Sequence, residues 1–212
     1  MRGAVFDAFA DRYDRWYDRD PGRAWFAAEV EALRPFVEPT VHPRLEVGSG
    51  SGRFTAALDI DIGIDPAWQP LQLARCRGVR VLRGVAERLP FRGHVFGVVV
   101  FVVTLCFVDD LDRVFAETRR VLRPGAPIVI GVIFAEGPLG RAYRAATELG
   151  NPFYAKARFL TWPDLRSALS RAGFAVDGVR SILATHRQGD WRPVEVRDGL
   201  AKEAAFVALS AR

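Results

Sequence analysis

Two strand-length segments of the chain are apolar at almost every position, VFGVVVFVV at 95–103 and APIVIGVIF at 126–134. A half-buried strand alternates apolar and polar residues, whereas a parallel strand that helices cover on both faces does not. Shorter apolar runs lie at 44–48, 60–65 and 79–84, and helix-like segments separate the runs. This order predicts an α/β domain with a mostly parallel sheet.

The composition narrows the class of protein. A chain of 212 residues that is 50 % hydrophobic suits one domain. No apolar stretch approaches the roughly 20 residues that span a bilayer, and the N-terminal segment is too broken by charge for a signal peptide. We therefore expect a soluble, cytoplasmic protein without membrane insertion. The net charge of +5 does not favour a nucleic-acid partner, because the arginines are spread along the chain among Asp and Glu.

The residues that commonly bind metals are scattered. Cys76 and Cys106 are the only cysteines and lie among apolar residues, which excludes a disulfide framework or a four-ligand zinc site. His42, His94 and His186 show no metal-ligand spacing. We therefore predict no metal.

The first apolar run leads directly into a glycine-rich segment, LEVGSGSGRF at 45–54. The pattern predicts a strand, a turn that contains Gly48, Gly50 and Gly52, and a helix that begins near Ser51. Such an arrangement brings a ligand against backbone amides and the N-terminus of a helix.

The spacing of the glycines distinguishes between two kinds of ligand. The dinucleotide-binding pattern G-x-G-x-x-G would need a third glycine where Arg53 stands. The sequence instead reads E-x-G-x-G-x-G, with Glu46 at the end of the strand. It resembles motif I of the class I S-adenosylmethionine-dependent methyltransferases, whose cofactor carries a sulfonium and an amino-acid tail but no phosphate.

The second predicted strand ends in GIDPAW at 63–68, which places Asp65 17 residues after Gly48. An acidic residue about 20 residues beyond such a loop commonly binds a ribose diol. An Asp before Pro66 is also a good start for a helix. The side chain has two oxygens, so both roles are open to it.

Two later segments extend the resemblance. RGVAERLPF at 83–91 is similar to the adenine-binding loop of the family and implies contacts from Ala86 and Glu87. It departs from the family at Val85, where an Asp is usual. The segment at 96–126 looks like the fourth strand, the following helix and the R-P-G turn of the same family.

The resemblance implies a Rossmann-like three-layer sandwich with a seven-stranded, mostly parallel sheet whose last strand is antiparallel. We expect a helical cap at 1–40, a cofactor-binding core at 41–135, a substrate lid at 136–160 and a C-terminal helix and strand pair at 161–212. The expected cofactor is S-adenosyl-L-methionine. The residues expected to contact it are Tyr13, Tyr17, Glu46, Gly48, Ser49, Gly50, Gly52, Asp65, Pro66, Ala86, Glu87, Phe101 and Val102.

The N-terminal segment 6–18 carries aromatic residues at helical spacing and resembles the family's pre-domain helix, which lies over the cofactor. Tyr13 and Tyr17 are the preferred contacts because their hydroxyls can reach polar groups. A plain amphipathic helix that packs on the sheet is the alternative.

The predicted lid at 136–160 would present Phe153, Tyr154 and Arg158 to the acceptor. Within it, NPFY at 151–154 looks like the box of amino methyltransferases that act on nucleic-acid bases. That box follows the fourth strand in those enzymes, so its position here argues against the same role.

The branch of the family that the sequence is closest to includes ubiquinone and menaquinone biosynthesis methyltransferases, which implies in-line methyl transfer to a small-molecule acceptor. An aromatic-rich rim favours an apolar, aromatic or cationic acceptor, because ring faces attract cations. His186 is the one candidate for a general base. The alternatives are an RNA base methyltransferase, a non-catalytic cofactor-binding module and an NAD-dependent oxidoreductase, and either a monomer or a homodimer is expected.

Overall fold

The described residues of the chain form one eight-stranded sheet. The computed structural model describes residues 3–148, 157–187 and 189–212. In chain order the strands are β1 (Arg44–Val47), β2 (Ile62–Asp65), β3 (Arg80–Arg83), β4 (Val98–Val102), β5 (Ile128–Val132), β6 (Val176–Arg187), β7 (Asp190–Asp198) and β8 (Phe206–Ala211).

The sheet is mostly parallel, with the order β3-β2-β1-β4-β5-β8-β6-β7. Strands β1 to β5 pair in parallel, and β8 lies antiparallel between β5 and β6. The predicted Rossmann-like α/β class is confirmed. The sheet contains eight strands rather than the predicted seven, because β7 forms a hairpin with β6 at the outer edge.

Helices α6 and α8 cover one face of this sheet and α3 covers the other. The described helices are α1 (Gly3–Ala8), α2 (Ala10–Trp16), α3 (Gly22–Val37), α4 (Arg53–Ala57), α5 (Trp68–Cys76), α6 (Leu111–Val121), α7 (Pro138–Glu148) and α8 (Trp162–Arg171). A short 3₁₀ helix, Leu105–Phe107, follows β4. None of the described helices is long and apolar enough to cross a bilayer.

The continuous apolar run of β4 reflects burial on two faces. Val99 and Phe101 belong to the core cluster that α6 and α8 cover, whereas Val98, Val100 and Val102 belong to the cluster on the other face, which α3 covers. All five strand residues are buried. Because every position of β4 meets an apolar layer, the sequence shows no alternation there.

Candidate functional site

The carboxyl ends of β1 to β4 surround a cavity of about 530 Å³, called here the first cavity. In open α/β sheets ligands bind at this edge, in sites of about 300 to 1,000 Å³. Residues of α1 and α2 form its outer wall. Eight of the residues predicted to contact a cofactor line it, namely Tyr13, Gly48, Gly50, Asp65, Pro66, Ala86, Glu87 and Val102.

The three glycines after β1 lack side chains for different reasons. All three have positive φ, a backbone conformation that favours glycine. A Cβ on Gly48 would lie 2.3 Å from Thr104, and one on Gly52 would lie 2.8 Å from Ala74 of α5, so packing within the protein requires these two. A Cβ on Gly50 would meet no described atom within 4 Å. The open space beside this backbone is therefore at Gly50.

Asp65 ties the two loops of the first cavity together. One carboxylate oxygen accepts a hydrogen bond from the Gly50 amide at 2.9 Å, and the other accepts one from the Ala67 amide at 2.8 Å. Burial raises the pKa of Asp65 in spite of these two bonds. Each carboxylate oxygen can accept more than one hydrogen bond, so a ligand hydroxyl can still bind here.

Glu46 lies beneath the glycine turn and does not line the first cavity. It is 1 % exposed, and its carboxylate accepts a hydrogen bond from the Thr55 hydroxyl at 2.5 Å. Burial raises the pKa of Glu46 to about 8; the Thr55 bond opposes this rise and the negative charge of Asp65 adds to it. Its geometry is that of a buried group that positions α4 against β1.

The other predicted contacts fall outside the first cavity. Ser49 and Phe101 are buried within the protein, and Gly52 packs on α5. Tyr17 lines a neighbouring cavity instead. Contact between these residues and a cofactor stays a prediction.

The loop after β3 forms the wall of the first cavity opposite the glycine turn. Glu87 accepts a hydrogen bond from the Asp109 amide through its side chain at 2.9 Å and one from Arg113 through its backbone oxygen at 3.1 Å. These bonds hold the loop against the segment that leads into α6. Val85, at the position where the family usually carries Asp, is 47 % exposed and lines the cavity.

An ionic cluster ties α2 to the glycine turn. Asp14 is buried and accepts hydrogen bonds from Ser51 Oγ (2.5 Å), Arg53 Nε (2.7 Å) and Arg77 Nη2 (2.5 Å). Burial alone would raise the pKa of Asp14, but the bonds from these three side chains hold it below its ordinary value. The neighbouring Tyr13 is thereby fixed over the first cavity.

A second cavity of about 570 Å³ lies beside the first one. The two share four wall residues, Phe6, Tyr13, Val103 and Phe107. Val103 has a φ of 50°, which is a strained conformation for a β-branched residue. Such strain is concentrated at functional sites, and here it lies at the junction of the two cavities.

Of the residues predicted to meet the acceptor, His186 lines the second cavity and Arg158 does not. His186 lines it from the β6–β7 hairpin, where it is exposed and its ring lies 5.2 Å from that of Trp191. The Arg158 amide donates a hydrogen bond to the Cys106 oxygen at 2.8 Å, which fixes the chain there to the 3₁₀ helix. Phe153, Tyr154 and the NPFY segment at 151–154 lie outside the described residues.

Sequence reasoning missed Glu29 and Asp14. Glu29 occupies a position on the buried stripe of α3, four residues after Trp25 and four before Leu33, both of which are buried. A charged residue on an otherwise apolar helix face is the signal that could have found it. Asp14 follows Tyr13 in a charged segment and carries no comparable signal.

Comparisons with known proteins agree with this geometry. The methyltransferase domain family matches residues 45–130. The crystal structure of an S-adenosylmethionine-dependent methyltransferase of Thermotoga maritima, described as a possible histamine N-methyltransferase, superimposes with a TM-score of 0.90 at 33 % identity and covers 100 % of this chain and 99 % of that one. The chain belongs to the S-adenosylmethionine-dependent methyltransferases.

Two relatives extend this family assignment. A Thermobifida fusca demethylmenaquinone methyltransferase is 31 % identical over 185 residues, 80 % of this chain and 77 % of that enzyme. An uncharacterised protein of Mycobacterium tuberculosis is 41 % identical over 205 residues, 95 % of this chain and 71 % of that protein. The predictions of a methyltransferase and of S-adenosylmethionine as its cofactor are confirmed, and the oxidoreductase alternative is wrong.

The first cavity of this methyltransferase is compatible with S-adenosylmethionine. Its volume of about 530 Å³ lies within the range of about 300 to 1,000 Å³ that is usual for small-molecule sites. Its walls include apolar residues such as Val47 and Ile64, and Asp65 presents a carboxylate. The open space at Gly50 lets a ligand approach the backbone closely. Among the described residues, no group of three or more His, Cys, Asp or Glu side chains could hold a metal ion.

Proposed function

We propose that this S-adenosylmethionine-dependent methyltransferase transfers a methyl group to a small-molecule acceptor that binds in the second cavity. The observation that carries the proposal is the common wall of the two cavities. An acceptor in the second cavity can reach a cofactor in the first one past Val103. Relatives named demethylmenaquinone methyltransferase and malonyl-[acyl-carrier protein] O-methyltransferase favour acceptors other than nucleic acids.

The proposed cofactor contacts follow from the lining of the first cavity. Asp65 would bind the ribose hydroxyls while its bonds to the Gly50 and Ala67 amides keep it oriented. The backbone at Gly48 and Gly50 would lie along the cofactor, and the loop with Ala86 and Glu87 would lie against the adenine.

When bound, S-adenosylmethionine supplies a methyl carbon on a positively charged sulfur, which is already an activated leaving group. The main contribution of the protein is therefore to position the acceptor in line with the methyl group. Holding two reactants in line can supply about 7 to 11 kcal/mol of the barrier. Tyr13 and Phe107 stand at the junction of the cavities, where they would exclude water from the reacting atoms.

The experiment is a methyl-transfer assay with methyl-labelled S-adenosylmethionine. The purified chain is offered a panel of small amines, phenols, thiols and carboxylic acids, and in parallel transfer RNA and ribosomal RNA. The proposal expects label in at least one class of small molecule and none in RNA. Label in RNA alone would contradict it and would favour the base-methyltransferase alternative.

A further inference from the structure

The second cavity contains a buried carboxylate that the proposed function does not use. Glu29 lines this cavity and is 5 % exposed. No described residue gives its Oε2 atom a hydrogen bond. A buried carboxylate oxygen without a hydrogen-bond partner is unfavourable, so its presence requires an explanation.

The fold holds this carboxylate firmly in place. Glu29 lies at the centre of α3, and Trp25, one turn earlier on the same face, donates a hydrogen bond from its indole nitrogen to the backbone oxygen of Trp191 at 2.8 Å. This bond joins α3 to β7. The backbone of Glu29 is therefore held beside the cavity.

Aromatic side chains form much of the surrounding wall. They include Phe6, Tyr13, Trp16, Tyr17, Trp25 and Trp191. Ring faces attract cations, and the attraction strengthens where water is excluded. A negative group among aromatic rings is the combination that binds an organic ammonium ion.

The other charged groups of this wall do not neutralise Glu29. Among the described residues, Arg12, His186 and Asp190 line the cavity at exposed positions, where solvent screens their charges. The tyrosines of the wall are Tyr13, Tyr17 and Tyr143. Burial raises the pKa of Tyr13 to about 12, and the negative charge of Glu29 contributes to this rise.

We propose that the acceptor is an amine, that its ammonium group binds to Glu29 within the aromatic wall, and that Glu29 takes a proton from it before methyl transfer. The proposal rests on the function proposed above. It assigns a base to a reaction for which the sequence offered His186 alone.

The Glu29 carboxylate accepts one proton from the ammonium group, which frees the lone pair of the nitrogen. This pair forms the bond to the methyl carbon while the bond between carbon and sulfur breaks and its electrons remain on sulfur. The products are the N-methylammonium ion, S-adenosylhomocysteine and one proton, which leaves Glu29 for solvent when the product departs.

Burial makes Glu29 suitable for this role. It raises the pKa of this carboxyl to about 8. A base is most effective when its pKa lies near the working pH, because it can then both accept and release the proton. An ordinary exposed glutamate, with a pKa near 4.3, would accept a proton from an ammonium ion far less readily.

The test uses calorimetry on the full chain saturated with S-adenosylhomocysteine. The probes are 2-phenylethylamine and its neutral isostere 2-phenylethanol, at a pH of about 8.5, where an alkylammonium ion is still protonated. Glu29→Gln keeps the size and removes the charge. Glu31→Gln on the exposed face of α3 is the matched control.

The proposal expects the wild type to bind the amine more tightly than the alcohol. Glu29→Gln should weaken amine binding by about 10- to 100-fold, the range for a hydrogen bond to a charged group, and leave alcohol binding unchanged. Glu31→Gln should change neither. Methyl transfer to the amine should fall in Glu29→Gln and not in Glu31→Gln.

Two binding results would overturn the proposal: equal affinity for the amine and the alcohol in the wild type, or undiminished amine binding in Glu29→Gln. Binding of S-adenosylhomocysteine by every variant separates these results from a failure of the proposed function. If the wild type binds the cofactor product and methylates only phenols or thiols, the amine inference alone is wrong.

Discussion

The buried carboxylate of Glu29 predicts a specific dependence of stability on pH. Its pKa is about 8 in the folded chain and near 4.5 in the unfolded chain. Between these values the unfolded chain releases the proton and the folded chain keeps it, so stability falls as the pH rises. Below a pH of about 4.5 both states are protonated, and above about 8 both are ionised, so the fall is confined to this window.

The size of this loss of stability follows from the difference between the folded and unfolded pKa values of Glu29. At about 1.36 kcal/mol for each pH unit, raising the pKa from 4.5 to about 8 amounts to about 5 kcal/mol. Glu29→Gln has no proton to release and avoids this loss. We therefore expect the variant to be more stable than the wild type by about 5 kcal/mol at a pH of about 9 and by less than about 1 kcal/mol at a pH of about 5.

The assay is urea unfolding followed by tryptophan fluorescence at both pH values. Glu46, whose pKa is also about 8, titrates in both proteins and cancels in the difference between them. The exposed control Glu31→Gln should follow the wild type at both pH values. A Glu29→Gln variant that gains no more stability at high pH than at low pH would refute the reasoning, because it would show that Glu29 is solvated or paired.

Two further predictions concern the glycine turn and the helix above it. Gly48→Ala should destabilise the chain in thermal unfolding and abolish binding of S-adenosylhomocysteine, because its Cβ would lie 2.3 Å from Thr104. Gly125→Ala is the control, since Gly125 has a similar φ but no atom lies within 4 Å of its Cβ. The thermal unfolding of this control measures the cost of the backbone strain alone. Asp14→Asn should lower stability by about 3 kcal/mol and weaken S-adenosylhomocysteine binding, because it removes the buried carboxylate that pairs with the partly buried Arg53 and Arg77, whereas Asp18→Asn removes an exposed ion pair and should change stability by less than about 1 kcal/mol. Equal effects of the two aspartate variants would contradict the role given to the cluster.

Much of the fold could be predicted because its signals are local. The apolar runs that became β4 and β5 are buried on two faces, and burial of that kind appears in the sequence as an unbroken run. Strand β7 was not predicted because its sequence DWRPVEVRD is mostly polar and contains Pro193, which is typical of an edge strand. Its place in the sheet depends on pairing with β6 rather than on its own pattern.

The candidate site was predictable only where it follows the family pattern. Asp65 and the loop with Glu87 line the first cavity as expected. The sequence suggested that the glycine turn lacks side chains because a ligand lies against it. In the structure, Gly48 and Gly52 are instead required by Thr104 and Ala74, which lie far away in the chain. No local pattern contains such contacts.

The proposed acceptor site at Glu29 could likewise be predicted only in part from the sequence. Its position on the buried stripe of α3 can be read from the spacing of Trp25 and Leu33. That it lines a cavity rather than pairing with a cation depends on how α3 packs beside α2 and β7, which the sequence pattern does not specify.

The most direct test of the account is calorimetric titration of the chain with S-adenosylhomocysteine. The wild type should bind one equivalent, and Asp65→Ala should bind about 10-fold more weakly or worse while remaining folded, because a charged hydrogen-bond acceptor for the ribose is lost. The exposed control Asp112→Ala on α6 should bind like the wild type. Absence of binding to the wild type, or unchanged binding to a folded Asp65→Ala variant, would contradict the assignment of the first cavity to the cofactor.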